Sequence, residues 1–103
     1  MFSINSIIYQ MLATLSAAYG PKWDNVKDIA ENTLFNDTKE RLTELAQQAL
    51  DGRPLPEVKD FLSSEFDILK SHLFAAQVLV ESEVEQAANA AMDVFLRLVT
   101  PQQ

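Results

Sequence analysis

The 103-residue chain has no cysteine. Composition therefore excludes disulfides, thiolate nucleophiles and zinc–cysteine sites. Basic residues are scarce, eight Lys plus Arg against fifteen Asp plus Glu, for a formal net charge of −7. That balance repels phosphate backbones and anionic lipid surfaces, and no cluster gathers the few cations into a patch. Neither nucleic acid nor a membrane is an expected partner. Glycine occupies two positions and proline four, which argues against a low-complexity or disordered body. No apolar run approaches the roughly 20 residues that span a bilayer. Residues 1–20 carry no charged side chain, so the basic n-region of a signal peptide is missing. The expectation is a soluble, cytoplasmic chain forming one all-helical domain over 1–103. A domain this short has a thin core and commonly gains buried surface by oligomerising.

What is present is helical periodicity. Ile4, Ile7, Ile8, Met11, Leu12 and Leu15 form a stripe behind a capping Ser3, predicting a helix over about 4–19. Gly20 and Pro21 stop it. An uncharged helix can also lie on a membrane, but such anchors favour a basic polar face, which is lacking here. Beyond Trp23, Val26, Ile29 and Ala30 centre on one direction at ~100° per residue, and Leu42, Leu45, Ala46 and Ala49 almost opposite. One straight helix cannot bury both sets against one neighbour. Asp37 and Glu40 have capping-box spacing, so helices are predicted at about 23–35 and 38–51. The alternative is one helix that rotates between two neighbours. "DGRPLP" at 51–56 is the clearest loop, with Gly52 ending a helix and Pro56 in the first turn of the next.

After Pro56 no glycine or proline occurs until Pro101. Leu62, Phe66, Leu69, Leu73, Ala76, Val80, Val84, Ala87, Ala91, Val94 and Leu98 follow in steps of three or four. This stripe predicts one helix over about 57–99, roughly 65 Å long. A break near Ser82 competes, since Ser82 and Glu85 also have capping-box spacing, but the stripe stays in phase across it. Between Leu73 and Val80 only Gln77 is polar, and a surface helix should show a polar face there. The expected answer is a homodimer: two long helices antiparallel about Val78, burying Leu73, Phe74, Val78, Leu79, Val80 and Val84. In that arrangement Glu85 falls close to Ser71 of the other chain, next to Lys70, so that a cross-chain ion pair is conceivable.

Chemistry-bearing patterns are sparse. The single histidine, His72, has no carboxylate three or four residues away on its own helix, so packing is its expected role. Glu-x-x-His, required twice by di-iron bundles, does not occur. Gly20 and Gly52 stand alone, so there is no phosphate-binding loop, and there is no nucleophile elbow. No cofactor, metal ligand or catalytic residue is expected. Trp23 reads as a plug at the end of the core, with an anchor for a partner as the sharper alternative. The functional expectation is a non-enzymatic interaction or regulatory module, a small acidic adaptor or accessory protein acting as a homo-oligomer. The alternative is a small-molecule-binding bundle with an apolar pocket lined by Phe61, Phe66, Phe74 or Met11.

Overall fold

Ser3 sets the first helix. Its backbone is extended (φ −111°, ψ 117°) and its Oγ accepts the Ser6 N–H at 3.4 Å. The computed structural model describes residues 2–76 and 80–100. Helix α1 runs Ile4–Tyr19 and buries Ile7, Ile8, Met11, Leu12, Leu15 and Tyr19, the predicted stripe less its first residue. Gly20, at φ 57°, ends it and donates its N–H to the Ser16 carbonyl. A 3-10 turn, Gly20–Lys22, leads directly into α2, Trp23–Asn32.

The predicted division between the second and third helices is present, in an unforeseen form. A π-helical turn, Thr33–Asp37, connects α2 to α3, Lys39–Leu50. Its wider winding, with Thr38 N–H donating to the Thr33 carbonyl at 3.0 Å, fits more residues into the turn. Together with the bend at Thr38 (φ −118°, ψ −4°), it re-aims the chain. Val26 and Ala30 before it, and Leu42, Leu45, Ala46 and Ala49 after it, are all buried in one core. The capping-box reading of Asp37 is corrected. Thr38 holds the N-cap position and makes no side-chain cap bond; its hydroxyl instead donates to the Thr33 carbonyl at 3.2 Å.

The segment after "DGRPLP" departs most from expectation. The loop forms as predicted, with Gly52 at φ 105°. The single helix over 57–99 is replaced by two, α4 (Leu55–Ala75) and α5 (Glu81–Val99), that pack on each other. The molecule measures 40 × 22 × 22 Å with a radius of gyration of 13.1 Å, too short for a 65 Å rod. The physical reason is burial. Folding α5 back buries Val84, Ala87, Ala88, Ala91, Met92 and Phe95. Each large apolar side chain so covered contributes about 1.5–3 kcal/mol, which outweighs the few helical hydrogen bonds lost at the break. Helix α1 packs chiefly on α5. The competing break at Ser82 is close but displaced. Val80 is the extended N-cap of α5 (φ −88°, ψ 157°), and Ser82 lies inside the helix.

The result is an all-α bundle, with no strand among the described residues. No helix among them is long and apolar enough to cross a membrane.

Candidate functional site

The α4–α5 end of the bundle holds the residues expected at a dimer interface. Leu73 and Val84 are fully buried in the chain's own core, which corrects their assignment to a contact between folded copies. Phe74 and Val80 are exposed, at 39% and 57%. Val78 and Leu79 lie outside the described residues. Lys70 and Glu85 meet at 3.0 Å within one chain, where the sequence suggested a pair between chains. The Lys70 side chain is only 15% exposed. A second contact between these helices runs from the Ser63 hydroxyl to the Met92 sulfur, at 3.7 Å.

At the other side of α5, Lys22 makes a forked pair with both Glu83 carboxylate oxygens, at 2.8 and 3.0 Å. This pair ties the start of α5 to the turn after α1. Tyr19 lies close by, its hydroxyl buried without a hydrogen-bond partner. Burial, reinforced by the negative charge of Glu83, pushes its pKa up to about 12. Trp23 stacks on the Tyr19 ring, with centroids 6.4 Å apart and planes at 16°. It is partly buried against the core, at the end of the bundle where a plug was expected.

The π turn gives His72 the partners that its own helix lacks. The Thr33 hydroxyl lies 2.8 Å from the Ile29 carbonyl, to which it can donate, and hydrogen-bonds His72 Nδ1 at 2.9 Å, in a direction set by the imidazole tautomer. Asp37 Oδ2 lies 3.9 Å from that nitrogen. Both partners address one ring nitrogen, which orients the imidazole but makes no relay through it, because a relay needs both nitrogens. Thr33 and Asp37 were missed from the sequence because they lie on another element. No local spacing marks a π turn.

Two open grooves flank Phe35. One, of about 530 Å³, is lined by Asp28, Glu31, Asn32 and Asn36. The other, of about 420 Å³, is lined by Lys39, Glu40, Thr43 and Glu44 with Asn36. The residues expected to line a ligand pocket do not gather at either. Met11 and Phe66 are core residues, while Phe61 and Phe74 face outward. Phe61 carries the guanidinium groups of Arg41 and Arg53 at 5.4 and 5.6 Å from its ring centre. Those arginines also reach Glu44 and Glu57, so their charge is already matched. Among the described residues no three His, Asp or Glu side chains converge to hold a metal.

No protein-family profile, curated protein or solved structure matches the chain.

Proposed function

We propose that the chain is a non-enzymatic interaction module, a small acidic accessory protein of the cytoplasm, which works as a homodimer through its C-terminal helices. The observation that carries this reading is Val80. It continues the apolar stripe from Leu73 and Ala76 to Val84, yet it is 57% exposed while Leu73 and Val84 are completely buried. A stripe position left open at the end of a helical pair is where a second copy of the same chain adds burial. Phe74, near the end of α4, is also exposed. Two-fold pairs of identical chains are the commonest soluble oligomers.

Sedimentation at micromolar concentration tests the proposal. The wild type should sediment as a dimer. Val80→Glu places a charge on an already exposed position, so it should give a folded monomer of unchanged helicity. A wild-type chain that stays monomeric throughout the concentration range overturns the reading.

A further inference from the structure

We propose that the surface joining Tyr9 and Phe35 is a docking site for a cationic segment of another protein. That segment sets an aromatic or branched apolar side chain beside Phe35 and basic side chains around it. The site uses none of the residues invoked for the homodimer and does not depend on that reading.

Its centre is aromatic and open to solvent. Tyr9 is 64% exposed, the highest value among the described large hydrophobic residues. Its ring meets Phe35 edge to face, with centroids 5.2 Å apart. Phe35 lies on the π turn and is partly buried against the core. The two grooves of about 530 and 420 Å³ share Phe35 and Asn36, so they meet there, and a side chain entering either one lies against the Phe35 ring. Single π turns are frequent at functional sites.

Charge is arranged around this centre as it is around protein-binding surfaces. Helix α1 has no charged side chain, and Asn5 and Ala13, which share a side of it with Tyr9, are exposed. Interface centres are depleted of charge and enriched in aromatic residues, inside a polar rim. The rim lies on α2 and α3. Asp28, Glu31, Glu40 and Glu44 line the grooves against a single cation, Lys39. Lys27 and Arg41 offset Glu31 and Glu44, at 3.9 and 3.0 Å. Asp28 and Glu40 have no basic partner among the described residues.

This arrangement specifies the occupant. Cations match both the carboxylates and the face of an exposed tyrosine ring, as Arg41 and Arg53 show on Phe61 within the chain. A second copy fits poorly, because a two-fold axis through the site sets its carboxylates against their own images. Nucleic acid is repelled by the same charges.

Fluorescence anisotropy with the full chain tests the proposal. The probe is a short fluorescein-labelled peptide with a central tryptophan flanked by arginines. Control peptides replace the tryptophan with alanine, or the arginines with glutamate. The probe should bind, and each control should bind at least about tenfold more weakly. Tyr9→Ala removes an exposed ring, so the chain stays folded, and it should weaken binding at least about tenfold. Asp28→Asn with Glu40→Gln should weaken it several-fold and flatten its salt dependence. Asp60→Asn with Asp67→Asn, at exposed positions on α4, changes the net charge equally and should leave binding unaltered. Absence of probe binding overturns the proposal, as does full affinity in Tyr9→Ala. Equal losses in the two double variants also overturn it, since net charge alone then attracts the peptide. A chain that sediments as a monomer leaves each of these outcomes unaffected, so the docking site and the homodimer fail separately.

Discussion

Lys70 and Glu85 are equidistant in sequence from the Gln77–Val78 bond, and they hold each other at 3.0 Å across the two C-terminal helices. The same bond is the centre of the Ser63–Met92 contact. A shared midpoint is the mark of an antiparallel helical pair, and the two contacts fix the register of α5 on α4. The Lys22–Glu83 pair ties the start of α5 to the turn after α1. Both pairs are partly exposed, and pairs of that kind contribute about 0–1 kcal/mol. They align α5 more than they hold it. The holding is done by Phe95, Met92 and Val84.

Phe95 is fully buried on α5. Phe95→Ala should cost about 3–5 kcal/mol in chemical denaturation, a large share of the stability of a domain this size. If the loss is under 1 kcal/mol, α5 is not seated in the core as described.

Tyr19 predicts an alkaline limit. Its phenol ionises near pH 10 in the unfolded chain and at about 12 when folded, raised by burial and then by Glu83. Above pH 10 the unfolded state releases this proton first, so stability falls as pH rises through the window between those values. The loss from this group is roughly 2 kcal/mol. Tyr19→Phe removes an unpartnered buried hydroxyl. It should leave stability at pH 7 unchanged or raise it by about 1 kcal/mol, and flatten the decline. Denaturation midpoints at pH 7 and 11 for both proteins check this. An equally steep decline in the variant counts against it.

Thr33 is buried, and its hydroxyl serves both the Ile29 carbonyl and His72. Thr33→Val keeps the shape and removes both bonds, for an expected loss of about 1–2 kcal/mol. Chemical denaturation of the two proteins checks this, and an unchanged stability in the variant counts against the described bonds.

Gly52 adopts φ 105°, with open space where a side chain would begin. Gly52→Ala therefore meets no steric obstacle but forces alanine into a backbone region it avoids. The substitution should cost about 1–2 kcal/mol, readable as a lowered melting temperature with unchanged helicity.

Much of this architecture was legible from residue order. Ser3 and Gly20 bracketed α1, "DGRPLP" marked the turn into α4, and the opposed apolar sets around Asn36 required a change of direction there. Most of the stripe of the last segment was also legible, since Leu62, Phe66, Leu69, Leu73, Val84, Ala87, Ala91 and Val94 are buried, while Ala76 and Leu98 are partly covered and Val80 is exposed. Periodicity reports which face is covered and not what covers it. The helix predicted over about 57–99 was therefore read through its break, which no turn residue marks and which only the Ser82–Glu85 capping-box spacing, just past the Val80 N-cap, signalled. The partners of His72 were hidden for a different reason. They belong to a π turn distant in sequence, whose winding leaves no local signature.

The most direct test is one distance within the chain. Lys59 and Arg97 are exposed, on α4 and α5 respectively, and accept spin labels as Lys59→Cys and Arg97→Cys. Doubly labelled chains are diluted into excess unlabelled protein, so that each measured pair lies within one chain. Pulsed electron resonance should then give the short distance of two packed helices, about 10 Å between axes before allowing for the labels. A distance of roughly 57 Å, the length of a continuous helix between those positions, would contradict the account.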